Sequence, residues 1–272
     1  MEPSLLDIPG IDTPIRLHLH QAVDTCLSRH ITEHHIWEPY ETALVVDCLE
    51  RGDVFLDVGA NIGYYTVLAA VLVQENGLVV AYEPDTDNYG LLMKNMAANH
   101  LTNARCFCAA MADYTGIGRI YLSEENRGDH RLYDPGEERV CCPTSVVHGG
   151  DHLSGVTDRV DFIKIDTQGS ETAVINGLQK VIQVNRDHLS MIVEFWPYGL
   201  RRAGSSGREL LSALSAFDMP LYLIDHIGHH LVPVSAEFLG QWVDQTDSDP
   251  ENQGFINLLV GHGGKHARIQ FL

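Results

Sequence analysis

Val54-Phe55-Leu56-Asp57-Val58-Gly59-Ala60-Asn61-Ile62-Gly63 is the stretch on which the reading of this chain turns. An apolar, β-branched run of strand length stops at a glycine and passes directly into the helix-length stretch Asn61 to Gln74. A buried strand that opens into a helix through glycines lets backbone approach a ligand closely, and the helix start offers unpaired N–H groups. The spacing is G-x-x-x-G. It is neither the G-x-G-x-x-G of dinucleotide sites nor the G-x-x-x-x-G-K-[ST] of phosphate cradles. Asp57, at the strand's end, would oppose a pyrophosphate and favour an ammonium group. Asp57, Gly59, Asn61 and Gly63 are therefore the first candidate ligand-binding residues.

Outward from this stretch, short apolar runs alternate with amphipathic, helix-length segments, the signature of a parallel sheet covered by helices on both faces. The spacing predicts strands at Val54–Val58, Leu78–Tyr82, Ala104–Ala109, Val160–Ile165 and Ser190–Phe195, with helices near Asp87–Asn99 and Ser170–Val184. An extra strand is expected at Ile117–Leu122. The last third adds a helix near Arg208–Phe217 and strands at Pro220–Ile224 and Phe255–Gly261. The expected architecture is α/β and Rossmann-like, a mostly parallel seven-stranded sheet. Residues 1–50 read as an N-terminal extension, with a hairpin at Leu17–Ile31 and a helix at Glu38–Arg51. Residues 51–272 form the main domain, interrupted by one long polar loop over Ser123–Asp158.

The second strand ends in Tyr82-Glu83-Pro84, where a carboxylate can accept hydrogen bonds from both hydroxyls of a ribose. Two carboxylates at adjacent strand ends suit an adenosine joined to an amino acid. After the third strand, Met111, Ala112 and Asp113 stand where an adenine would lie, with Asp113 a candidate acceptor for its exocyclic amine. The fourth strand ends in Asp166-Thr167-Gln168-Gly169-Ser170-Glu171. Asp166 falls at the carboxyl edge of the sheet beside the first glycine turn, the usual place for ligands in open α/β sheets. Glu194, closing the fifth strand, lies next to Asp166 in this topology. Asp166, Gln168 and Glu194 are the candidate catalytic residues. His148 or His152 of the long loop is an alternative base, and the Asp166–Glu194 pair raises the question of a divalent cation, although no metal ligand set is assigned.

Composition narrows the partners. A formal charge of −19 over 272 residues repels a phosphate backbone, so neither nucleic acid nor an anionic membrane surface is expected to bind. The apolar run Tyr64–Val73 is too short to span a bilayer, and the start lacks a basic n-region. Six scattered cysteines read as reduced thiols, which points to the cytoplasm. Fifteen histidines carry no zinc-site spacing. A homodimer is compatible with all of this.

The strings Phe55-Leu-Asp-Val-Gly-Ala-Asn-Ile-Gly63, Glu83-Pro84, Ile163-Lys-Ile-Asp-Thr-Gln-Gly-Ser-Glu171 and Ile192-Val-Glu194 resemble the FkbM family of methyltransferases in order and spacing. The resemblance implies a class I methyltransferase fold with S-adenosyl-L-methionine as methyl donor. It implies O-methylation of a hydroxyl on a natural product or saccharide. It places Asp57, Gly59, Asn61, Gly63 and Glu83 at the cofactor and Asp166 near the transferring methyl. Two departures stand out. Gln168 replaces the glutamate usual in the family, and Pro143 to His152 replaces its usual threonine-leucine-aspartate run. The competing readings are a nicotinamide-dependent oxidoreductase, which would need a third glycine, and a non-catalytic binding module, which would need broken cofactor loops.

Overall fold

A computed structural model describes residues 2–20 and 24–263 of the chain. In chain order it contains β1 (Ser4–Leu5), β2 (Arg16–Leu17), α1 (Leu27–His34), α2 (Pro39–Cys48), β3 (Val54–Val58), α3 (Tyr64–Val73), β4 (Leu78–Tyr82) and α4 (Thr86–Ala98). There follow β5 (Ala104–Phe107), β6 (Ala110–Ala112), β7 (Gly116–Leu122), β8 (Val140–His148), α5 (Gly149–Ser154), β9 (Phe162–Ile165) and α6 (Glu171–Asn185). The last part comprises β10 (Ser190–Phe195), α7 (Pro197–Arg202), α8 (Gly207–Ser215), β11 (Leu221–Asp225), β12 (His230–Pro233), α9 (Ala236–Asp247) and β13 (Ile256–Gly261).

The main sheet has eight strands in the order β12-β11-β13-β10-β9-β3-β4-β5. The five strands from β10 to β5 run parallel, whereas β13 enters antiparallel between β10 and β11. From β3 the chain winds outward through β4 to β5, then crosses back to place β9 on the other side of β3. That reversal is the topological switch point, where open α/β sheets bind ligands. The expected seven strands are present, and β12 adds an eighth by pairing antiparallel with β11.

Side chains of successive strand residues point to opposite faces, and the core divides accordingly. Phe55, Val79, Phe162 and Leu259 pack on one face with Leu44 of α2 and Leu68 of α3. Leu56, Val80, Ile163 and Val260 pack on the other with Leu178 of α6 and Leu210 of α8. Nearly every residue of α3 is buried, from Tyr64 to Val73. A helix apolar on all sides must be covered on all sides. Here the N-terminal segment supplies the outer cover with Leu6, Ile15, Leu17 and Ile31, all in the same core cluster. Truncating Leu68 to alanine would cost about 2–5 kcal/mol, the usual range for a buried leucine.

Two expectations are corrected. The hairpin expected over Leu17–Ile31 is absent: Leu17 belongs to β2, which pairs with β1, and Leu27–His34 is helical, while residues 21–23 lie outside the described residues. Asp24 lies just ahead of this helix, and its carboxylate accepts from the Cys26 and Ser28 amides at 3.2 and 2.8 Å, satisfying two N–H groups at the helix start. The long loop expected over Ser123–Asp158 contains β8 and α5. β8 runs antiparallel to β7 and parallel to β6 in a separate three-stranded sheet. Only Thr144 and Val146 of β8 are buried, so its apolar signal was diluted by the solvent-facing residues between them.

Candidate functional site

A cavity of about 530 Å³ lies at the switch point, at the carboxyl ends of β3, β4, β9 and β10. Its floor begins with the turn after β3. Gly59 and Ala60 both donate their amides to the Tyr82 carbonyl at 3.0 Å, tying this turn to the end of β4. Gly59 has φ +87°, and a Cβ there would run into the backbone carbonyl of Asp166. The β3 and β9 loops thus meet at a contact only glycine permits. Asn61 also takes a left-handed φ of 50°, unusual for a residue with a side chain. Its side-chain carbonyl accepts from the Ile62 amide at 2.7 Å, and its own amide donates to Glu83 at 2.8 Å.

Glu83 is buried on the cavity wall, and its second oxygen accepts from the Asp85 amide at 2.8 Å. Burial pushes its carboxyl up to about 8, against the pull of these two amides. Asp57 is buried as well and accepts from the Thr66 hydroxyl at 2.6 Å. Burial raises it to about 6, with the Thr66 bond and the Lys164 ammonium opposing. Pro84, Ala110 and Met111 also line the cavity, together with Arg127 and His130 of the segment after β7.

At the other half, Gln168 sits at φ +54° and its amide donates to both candidate carboxylates, Asp166 at 2.8 Å and Glu194 at 2.9 Å. Beneath them Lys164 is fully enclosed, 3.5 Å from Asp166 and 3.3 Å from Glu41. Burial alone would lower the lysine, but Glu41, Asp166, Glu38 and Glu194 hold it well above its ordinary value. Burial, joined by the charges of Asp166 and Glu171, raises Glu194 well above the usual carboxylate range. The Gln168 amide occupies the space between Asp166 and Glu194. Among the described residues no cluster of three or more His, Cys, Asp or Glu side chains is placed to hold a metal ion.

Three expected residues lie off the cavity. Asp113 is exposed and not part of the lining, since the β6 strand ends before it and turns it to solvent. Ala112 is buried in β6, where its carbonyl abuts Gly177 of α6. Gly63 packs against Leu92 of α4 and caps α3. The histidines are placed elsewhere too: His148 caps α5, and His152 meets the Tyr82 hydroxyl at 2.7 Å. Glu171 staples its own turn, one oxygen accepting from Thr167 N, Thr167 Oγ1 and Gly169 N. Arg201 pairs with Asp247 and Arg202 with the Pro135 carbonyl.

A sequence profile described as the methyltransferase FkbM domain matches residues 57–218, which is more than half of the chain. The chain belongs to the FkbM methyltransferase family. No curated protein gives a significant sequence match. Solved structures that it resembles include methyltransferase FkbM from Methylobacillus flagellatus KT, at 15% identity over 76% of this chain and 43% of that one, with a TM-score of 0.43. A precorrin-6y C5,15-methyltransferase from Geobacter metallireducens shares 11% identity over 90% and 93% of the two chains, with a TM-score of 0.47. Aeropyrum pernix fibrillarin, solved with natively bound S-adenosyl-L-methionine, shares 11% identity over 81% and 73%, with a TM-score of 0.44. All three TM-scores lie below 0.5, and the family assignment rests on the sequence match.

Within this FkbM chain, the β-strand motifs account for one side of the cavity. The opposite wall comes from the segment ahead of the family match, with His30, Trp37 and Glu38, and from Phe255 far beyond it. Sequence reasoning placed none of these four at the site. The Trp37-Glu38-Pro39 string carried one usable signal, because a proline at the first helical position fixes the preceding residue as a helix boundary.

Proposed function

We propose that this cavity binds S-adenosyl-L-methionine and transfers its methyl group to a hydroxyl of a small molecule or saccharide. The observation that carries the reading is Glu83, a buried carboxyl oriented by the Asn61 amide at the lip of the Gly59 turn. A carboxylate retains lone pairs after accepting two amides, and these suit the two ribose hydroxyls. Asp57 and the turn amides suit the ammonium and carboxylate of the methionine part. The slot between Pro84 and Met111 suits the adenine. When bound, the cofactor supplies an activated methyl group. The chain's part is to align the acceptor with that group, as Asp166, Gln168 and Glu194 are placed to do, and to remove the acceptor's proton.

The acceptor half favours an uncharged, hydroxylated molecule. Trp37, Tyr65 and Phe255 offer aromatic surface, and Glu38, Asp166 and Glu194 offer acceptors for hydroxyl groups. Its one lysine, Lys164, is paired with Glu41 and Asp166, and the three carboxyls there oppose a phosphate. No helix among the described residues is long and apolar enough to cross a membrane, and the free cysteines suit a cytoplasmic enzyme. The test is transfer of a labelled methyl group from S-adenosyl-L-methionine to a panel of methyl glycosides, cyclitols and phenols, with sugar phosphates as controls. Label on neutral polyols but not on their phosphates is expected. Label only on the phosphates, or only on amines, would contradict the reading.

A further inference from the structure

Three carboxyls line the acceptor half of the cavity, Asp166, Glu194 and Glu38. Asp166 has one oxygen bound to the Gln168 amide and the other facing Lys164 at 3.5 Å. Glu194 accepts from the same amide, and burial with the charges of Asp166 and Glu171 raises it well above the usual carboxylate range, which disfavours the ionised form that a base needs. A carboxyl that already holds a proton cannot take another from an acceptor hydroxyl.

Glu38 differs in three respects. Its Oε2 accepts from the Tyr65 hydroxyl at 2.9 Å, while among the described residues no donor reaches Oε1. Its side chain lines the cavity and is partly exposed there. Its backbone is left-handed, φ 41° and ψ 68°, a conformation that costs a residue with a side chain about 1–3 kcal/mol. The strain is held from both sides: the Thr42 amide donates to the Glu38 carbonyl at 2.9 Å, and the Thr42 hydroxyl donates to the Trp37 carbonyl at 2.6 Å. Backbone strain that the surroundings maintain concentrates at functional positions.

We propose that Glu38 is the catalytic base, an assignment that rests on the methyl-transfer reading above. The acceptor hydroxyl gives its proton to Glu38 Oε1 while its oxygen bonds to the methyl carbon. The carbon–sulfur bond breaks with its electron pair left on sulfur, so a sulfonium becomes a thioether and charge balances. Glu38 fills the role left open by Gln168.

The surroundings tune this group for the task. Burial, then the neighbouring Glu41 carboxylate, pushes Glu38 up to about 7, with Lys164 and the Tyr65 hydroxyl pulling the other way and Asp166 adding to the rise. Glu194 on β10, Cys26 ahead of α1 and His226 after β11 also feel its charge. A base near the working pH combines ionisation with proton affinity. The rate should therefore climb as pH rises through about 7.

The experiment pairs Glu38→Gln with wild type. In the variant, calorimetry should show unchanged affinity for S-adenosyl-L-methionine, while transfer to the hydroxyl panel falls about 10²- to 10⁴-fold. The rise in rate through neutral pH should vanish from the residual activity, and Glu38→Asp should restore part of the rate. In parallel, ¹³C-carboxyl NMR of the full chain with S-adenosylhomocysteine should show the Glu38 signal titrating near neutrality. In Tyr65→Phe, which loses a donor to the charged form, that titration should move upward. Wild-type turnover by Glu38→Gln would overturn the proposal and leave the methyl-transfer reading standing. If the panel holds no acceptor, the NMR decides, and titration in the ordinary carboxylate range would overturn it. Failure of the wild type to bind S-adenosyl-L-methionine would sink the methyl-transfer reading itself, and this proposal with it.

Discussion

The two halves of the cavity are built on different principles. The half under Glu83 and Asp57 is made of consecutive residues at the ends of β3 and β4, held by backbone amides that every sequence supplies. The half around Glu38 and Gln168 is made of side chains from α2, β9, β10 and β13, held by a buried charge network. In that network Lys164 meets Glu41 and Asp166, and Glu41 in turn meets Asn257 and His226. The first half can be transplanted as a motif. The second depends on the whole fold being in register, and so has room to change its acceptor without disturbing the first.

The sharpest way to break the contrast is Lys164→Met. Removing the lysine from this buried cluster leaves Asp166 without its cation and Glu41 with only His226 and Asn257, which costs about 3–5 kcal/mol. Urea unfolding should show that loss, and Glu41→Gln combined with Lys164→Met should recover much of it. A stability unaffected by the single change would mean that the second half is not held by its charges.

The next test acts on the first half. Because burial holds the Glu83 proton up to about 8, the folded state binds more protons than the unfolded state between the ordinary glutamate value and about 8. Stability of the unliganded protein should therefore fall as pH rises through that window, with the contribution fully present only below it. In Glu83→Gln, which stays neutral, that part of the slope should disappear from thermal unfolding scans. A slope unchanged in the variant would show that Glu83 is already ionised without ligand.

How far each half was legible follows from the same contrast. Strands β3, β4 and β10 have the bounds expected from their apolar runs, because a buried parallel strand needs an unbroken apolar run and each here is bounded by turn residues. The switch-point position of Asp57, Glu83 and Asp166 then followed from strand order alone. Glu38 and Phe255 did not, since nothing local links them to Asp166 and only the packing of α2 and β13 brings them in. Asp113 misled for the converse reason: it follows a strand of the right kind, yet that strand joins the small sheet with β8 and turns away. Helix α9 was overlooked although Ser235 caps it by accepting from the Phe238 amide at 3.1 Å, because Leu239 and Val243 are the only large apolar side chains among its buried positions.

The smallest effect expected is at Thr66. Its hydroxyl bond to Asp57 stabilises the charged carboxylate, and Thr66→Val should weaken cofactor binding by about 1 kcal/mol, roughly fivefold. Calorimetry at constant pH reads this directly. A larger loss would place Thr66 among the groups that fix the turn itself.

The central claim is that the Asp57–Glu83 half holds S-adenosyl-L-methionine, and calorimetry on the wild type and on the Asp57→Ala, Glu83→Ala double variant tests it, with nicotinamide cofactors in parallel. Each carboxylate's charge-assisted bonds contribute about 1.5–3 kcal/mol, so the double variant should lose about 10²- to 10⁴-fold in affinity while the wild type ignores nicotinamides. Equal binding by both proteins, or a wild type that prefers a nicotinamide, would contradict the account.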